Sequence, residues 1–319
     1  MQPVLKPRFS LVVPVYGNED GIGDLTAAIA QIKAEVGVPF EAVFVVDGSP
    51  DQSLARLRES LPMAPFASRL VSLSRNFGAF PAIRVGLEHA RGDVIAVMAA
   101  DLQEPPELAV RFFRALDRGE HDIAFGERLG RDDPWHSRLA SNLFWSVYRR
   151  TVMPSIPRGG VDIFAMRAGF RDQLLALKES NSSLLAQLFW LGGRRVFLGY
   201  ERRRRAHGKS GWTLRKKLRY LSDSVFAFTD LPIRLLTAFG AIGLFAAVLL
   251  GTVTLIAKAT GLVEVPGYAG TVLTILFFGA LNSLGLGVVG TYAWRTFENT
   301  KQRPLALVQL HENFTGTAE

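Results

Sequence analysis

The chain has 319 residues, of which 48% are hydrophobic, enough for a sizeable core. Its formal charge is +8, which directs attention to anionic membranes, phosphorylated substrates or nucleic acid. It contains no cysteine, so disulfides and thiol catalysis are excluded.

The N-terminal FSLVVPV, residues 9–15, reads as a strand running into proline and turn residues rather than as a signal peptide. A helix-like stretch follows from Ile22 to Val36, then a second strand at Ala42–Val46 ending in DGSPD. A third strand at Arg69–Leu73 ends in SRNFG and leads to a helix near 79–90. A fourth, Asp93–Ala100, ends in DLQEPPE before a helix near 108–117, and a fifth covers Asp122–Gly126. Beyond it, 135–150 reads as an amphipathic helix, RGGVDIFAMR as a returning strand, and 168–191 as two helices. Strands alternating with helices predict a mainly parallel α/β sheet whose ligand cleft lies beyond the carboxyl ends of its strands.

From Leu235 to Ala257 no residue is charged, and the run is long enough to cross about 30 Å of hydrocarbon. A second uncharged run extends from Val265 to Trp294. Arg234, Arg295, Lys301 and Arg303 flank the outer ends, against Lys258 in the turn. The positive-inside rule therefore puts the main domain and C-terminus in the cytoplasm. These spans direct the basic charge to membrane and phosphate partners, not nucleic acid. Asn282 and the glycines of SLGLGVVG read as helix-packing residues. Residues 212–232 combine a basic start with an apolar stripe, which fits an interfacial helix or one packed on the soluble domain. The expected divisions are a domain at 1–211, the interface region at 212–232, the hairpin at 233–294 and a cytoplasmic tail at 295–319.

Several polar groups stand at the strand ends. Asp101 and Gln103 offer two oxygen ligands for Mg²⁺ or Mn²⁺, with Glu104 in reserve; a plain turn is the alternative. Asp47 suits a ribose or base contact, or an Asx turn. Tyr16, after Pro14, offers a flat face for a base, and Glu19 a hydroxyl contact. No GxGxxG follows the first strand, which argues against a dinucleotide oxidoreductase. The run YERRRRAHGKSGW from Tyr200 supplies arginine forks, among them Arg202 and Arg205, with Ser210 in a closing loop. Arg128 and Arg138 add positive charge, and Asp162 is placed to orient a sugar or an arginine. The five histidines have no ligand spacing.

In order and spacing, VPVYGNE, VVDGSPD, SRNFG, AADLQEPPE, GVDIFAM, YERRRRAHGKSGW and RTFENTKQRP resemble the polyprenyl-phosphate glycosyltransferases. These are relatives of dolichol-phosphate mannose synthases with an inverting family-2 catalytic domain. The resemblance covers nearly the whole chain. It implies a GT-A-like fold, a UDP- or GDP-sugar donor, a polyprenyl phosphate acceptor, a bacterial inner-membrane location and a homo-oligomer. It places Pro14, Tyr16, Glu19 and Asp47 at the nucleotide and the metal at Asp101 and Gln103. Arg128, Arg202, Arg205 and Ser210 are placed at the phosphates. Three departures stand out: Ala99 where DADLQ would have an acid, Val46 where VDDGS would have one, and Gly17 inserted before Asn18. The first leaves a degenerate membrane scaffold open; a processive polysaccharide synthase is the other enzymatic alternative.

Overall fold

The computed structural model describes residues 6–129, 149, 156–157, 161–179, 182–203, 222–229, 231–260 and 267–316. Its strands are β1 (Phe9–Val15), β2 (Phe40–Val46), β3 (Ala67–Leu73), β4 (Val94–Val97), β5 (Ile123–Arg128), β6 (Val161–Arg167), β7 (Arg195–Tyr200) and β8 (Val308–Phe314). The helices over the sheet are α1 (Ile22–Val36), α2 (Ser53–Ser60), α3 (Ala79–His89), α4 (Pro106–Asp117), α5 (Ala168–Ala176) and α6 (Leu184–Trp190). Two long helices follow, α7 (Leu231–Ala259) and α8 (Tyr268–Thr300).

Among the described residues the strands form one sheet in the order β7-β5-β6-β4-β1-β2-β3-β8. The expected mainly parallel sheet is corrected to a mixed one. The pairs β1–β2, β1–β4, β2–β3 and β5–β7 are parallel, whereas β6 runs against both neighbours and β8 runs against β3. The central strands are apolar on both faces because both faces are covered. Leu11, Val13 and Val15 of β1 face the core shared with α1 and α4, while Val12 faces the core beneath α3, α5 and α6. Gly86 lets α3 lie close to the sheet: a Cβ there would come within 2.2 Å of Val12 Cγ1. Under α3 the buried Glu41 accepts from Ser10 Oγ at 2.6 Å and from Arg69 Nε at 3.0 Å, so the buried charges are paired.

Two strands, β7 and β8, were not expected from the sequence, and they are the two edges of the sheet. The segment expected as a tail instead continues α8 to Thr300 and then forms β8, with Ser68 paired to Phe314 and Val71 to His311. An ion pair joins Glu312 to Arg58 of α2, and the His311 ring meets His89 of α3 edge-on at 5.0 Å. The predicted helix at 135–150 lies outside the described residues except for Arg149. Of the predicted interface region, 212–221 and 230 also lie outside; residues 222–228 are helical.

The α7 segment Leu231–Val253 is 23 residues long with a mean hydropathy of 2.2 and is almost wholly exposed, so it is long and apolar enough to cross a membrane. α8 lies antiparallel beside it. A Cβ at Gly243 would touch the Phe278 ring at 3.1 Å, and one at Gly285 would meet Leu236 at 3.5 Å. Gly285 is thus a packing glycine as expected, whereas Gly287 and Gly290 face open space.

Burial, helped by the charges of His89, Arg69 and Arg91, holds the His311 imidazole below its usual range. The unfolded chain therefore binds the proton more readily than the folded one, and stability is lost as pH falls through about 6.5 toward the lower folded value. Thermal melts between pH 7.5 and 5.5 should show a declining Tm, and His311→Gln should flatten that decline. An unchanged slope in the variant would remove His311 from the account.

Candidate active site

The carboxyl ends of β1, β2 and β4 lie side by side, and their turns hold one another through long-range hydrogen bonds. After β1, Gly17 takes a left-handed φ of +61° and donates its N–H to Ser49 Oγ at 2.8 Å. Ser49 donates in turn to Asp51 Oδ1 at 2.5 Å, and Asp51 Oδ2 accepts the Glu19 N–H at 3.0 Å. Glu19 Oε2 accepts from Gln52 N at 2.8 Å, at the start of α2. Burial opposes the Asp51 charge, but bonds from Ser49, Ser53 and the Glu19 N–H outweigh it and hold the carboxyl below its ordinary value. Glu19, expected to bind a hydroxyl, thus joins the β1 turn to α2. Tyr16 is 54% exposed beside it, which leaves its ring open as a platform.

Asp47 is buried and faces the loop after β3. Its two oxygens accept from Phe77 N at 2.7 Å and Gly78 N at 2.8 Å. Burial raises its pKa, and these two N–H groups and the Arg75 charge offset part of the rise. Gly48 has φ +55°, and a Cβ there would sit 2.2 Å from the Arg75 carbonyl carbon. The Asp47–Gly48 pair therefore clamps the SRNFG loop against the end of β2.

The turn after β4 is strained. Leu102 has φ +51°, a region that costs a non-glycine residue about 1–3 kcal/mol. It is held there from both sides. Asp101 Oδ1 accepts from Gln103 N at 3.3 Å, and Leu102 packs against the core. Upstream, the buried Asn18 donates from Nδ2 to Ala100 O at 3.0 Å, tying the first turn to the residue before Asp101. Asn18 was missed in the sequence because a loop asparagine between Gly17 and Glu19 reads as ordinary turn chemistry.

The basic segment after β7 docks on this same turn. Arg202 donates to Gln103 Oε1 at 2.5 Å, Arg203 N donates to Gln103 O at 2.8 Å, and Arg203 pairs with Glu107 at 3.4 Å. Arg128 ends β5 opposite Tyr200. Asp162 lies in β6 beside the Glu127–Val161 pairing, at the same end of the sheet. Pro14 lies within β1, opposite Val45. Arg138, Arg205 and Ser210 lie outside the described residues.

Among the described residues no three His, Cys, Asp or Glu side chains converge as a metal cage. The amide oxygen of Gln103 accepts from Arg202 and keeps a second lone pair, so Asp101 and Gln103 could offer two oxygens to a hard cation whose shell phosphate and water oxygens would complete.

Acidic turns gather at the ends of parallel strands of an α/β protein, with Arg202 and Arg203 docked on the turn after β4. Residues 10–176 match Glycosyl transferase family 2, and the chain belongs to that family. It is 30% identical to "Uncharacterized glycosyltransferase sll0501" of Synechocystis, over 94% of each chain. It is also 30% identical to the undecaprenyl-phosphate 4-deoxy-4-formamido-L-arabinose transferase of Edwardsiella ictaluri, over 94% of this chain and 93% of the other. The bactoprenol glucosyl transferase of Shigella phage SfX is 28% identical, over 95% and 99%. The chain is therefore a GT-A-like glycosyltransferase related to bactoprenol and undecaprenyl-phosphate sugar transferases.

Gly48→Ala combines an unfavourable φ with a backbone clash and should destabilise the domain by about 1–3 kcal/mol. Urea denaturation followed by tryptophan fluorescence reads this directly. A midpoint equal to that of the parent would mean that the loop after β3 yields without cost.

Proposed function

We propose that the protein transfers a hexose or related sugar from a UDP- or GDP-sugar to a polyprenyl phosphate, with inversion at the anomeric carbon. The observation that carries this reading is the docking of Arg202 and Arg203 on the Asp101–Gln103 turn, in a chain that continues directly into a hydrophobic hairpin. Relatives named for undecaprenyl-phosphate and bactoprenol transfer, matched over nearly their full length, support it.

The nucleotide is assigned to the turns after β1 and β2. Tyr16 gives its base a surface, Pro14 lies in the strand beneath, and Asp47 and Glu19 hold the walls. Arg128, Arg202 and the neighbouring Arg205, Arg138 and Ser210 are assigned to the donor and acceptor phosphates, and Asp162 to orienting the sugar or an arginine.

A lipid phosphomonoester has a second pKa of about 6 and is largely dianionic at neutral pH, so it needs no protein base to become a nucleophile. Its oxygen forms the new bond to the anomeric carbon as the bond to the nucleotide diphosphate breaks on the opposite face. An α-linked donor then gives a β-linked lipid phosphosugar, and the nucleotide diphosphate leaves with the bonding pair. The arginines offset the charge on that leaving group and hold the two phosphates in line. Asp101 and Gln103 would hold Mg²⁺ or Mn²⁺, which would supply further charge compensation.

We also read α8 as crossing the bilayer back beside α7. Three observations support this. The chain leaves the sheet before α7 and re-enters it at β8, which requires an even number of crossings. The two helices pack antiparallel through Gly243–Phe278 and Gly285–Leu236. Thr237, Thr252, Thr274, Ser283 and Thr291 each return their hydroxyl to the carbonyl four residues earlier, so these five donors are satisfied within their own helices. The catalytic domain and C-terminus then share the cytoplasmic side of a bacterial inner membrane. The open, glycine-lined outer face of α8 is available to lipid or to further copies of the chain.

Purified protein given undecaprenyl phosphate, Mg²⁺ or Mn²⁺ and a panel of UDP- and GDP-sugars should form one lipid phosphosugar and release the matching nucleotide diphosphate. Asp101→Ala should lower that rate by about 100-fold or more while the protein stays folded and membrane-bound. Nucleotide binding with no lipid product from any donor would refute the assignment.

A further inference from the structure

The stretch 222–229, helical over 222–228, lies between the catalytic domain and the hairpin and is fastened to both. Toward the domain, Val225 and Phe228 pack against the core beneath α3, the same cluster against which Phe77 of the SRNFG loop packs. Toward the hairpin, Arg295 of α8 donates to Asp223 at 2.7 Å and lies over the Phe226 ring at 5.2 Å. Phe226 also meets Tyr292 edge-on at 5.4 Å, and the Tyr292 hydroxyl donates to Thr229 O at 3.4 Å. The two charges are largely withdrawn from solvent, with side chains 15% exposed for Arg295 and 28% for Asp223.

We propose that the Asp223–Arg295 pair, with Phe226 and Tyr292 around it, is a positioning joint: it sets the height and tilt of the cleft over the bilayer so that a membrane-held polyprenyl phosphate meets the donor in line. This rests on the reading that α7 and α8 both cross the membrane. Neither charge touches the assigned substrates; they act through the helix between them. The pair is suited to the task because a largely buried ion pair with its guanidinium over the Phe226 ring has one favoured geometry, whereas apolar contacts alone would slide. The joint also shares its supporting core with Phe77, whose N–H is held by Asp47 at the end of β2. A shift of the hairpin is therefore carried to the wall of the nucleotide pocket as well as to the acceptor.

The two roles separate with two acceptors. One is undecaprenyl phosphate embedded in nanodiscs; the other is a short, water-soluble prenyl phosphate that needs no bilayer geometry. Asp223→Ala and Arg295→Ala should raise KM for the embedded acceptor, or lower its kcat/KM, by about tenfold or more, since misplacement of about an ångström costs up to about 100-fold. At saturating donor, where a change in donor affinity is not read, turnover of the soluble acceptor should stay within about twofold of the parent. The exchanged pair Asp223→Arg with Arg295→Asp should recover most of the loss. Equal losses on both acceptors, or no recovery in the exchanged pair, would overturn the joint.

Hydrogen exchange on the same variants in nanodiscs reads the joint without turnover. Faster exchange across 222–229 and 75–78 is expected, and unchanged rates would refute the coupling. A parent protein inactive on both acceptors would count against the glycosyl-transfer reading, while the exchange result would still decide the joint.

Discussion

The pairing of β8 with β3 is the constraint on which the rest of the architecture depends. A chain that leaves a sheet, forms two long apolar helices and then re-enters the same sheet has both ends of its hairpin tied to one rigid body. Loop entropy then favours the antiparallel packing seen between α7 and α8, because their outer ends are already held together. The strand also covers an edge of β3 that would otherwise present unpaired backbone groups.

The cleft follows a second rule: its turns are held mainly by one another. Asp47 holds the loop after β3, Glu19 and Asp51 join the turns after β1 and β2, Asn18 holds the turn before Asp101, and Gln103 holds the basic segment after β7. Each bond joins segments far apart in sequence, so the site forms only when the sheet does. The strain at Leu102 is maintained by that framework and keeps Asp101 and Gln103 on a tight turn between the acidic and basic sides.

The sequence made the interior of the fold legible and left its margins obscure. Apart from Ser10 and Glu41, β1 and β2 are apolar because both faces are covered, and that run identifies them without any partner being known. β7 and β8 are edge strands, partly solvated, with polar residues mixed among apolar ones, so RVFLGY and VQLHENF lack the same signature. The site was legible as a set of turns but less so as individual roles. Asp47 and Glu19 have the chemistry of ligand contacts, yet their partners are backbone N–H groups of Phe77, Gly78 and Gln52, which only the tertiary arrangement brings near. The association of Arg202 with Gln103 spans 99 positions and leaves no local trace in the sequence.

The position of β8 also orders the protein's biosynthesis. Residues 308–314 leave the ribosome after both hydrophobic helices. The first seven strands and the helices α7 and α8 are therefore synthesised while the edge of β3 is still bare. Closure of the β3 edge therefore follows the synthesis of all these elements. It registers that the whole hairpin has been made and that its far end lies back beside the sheet.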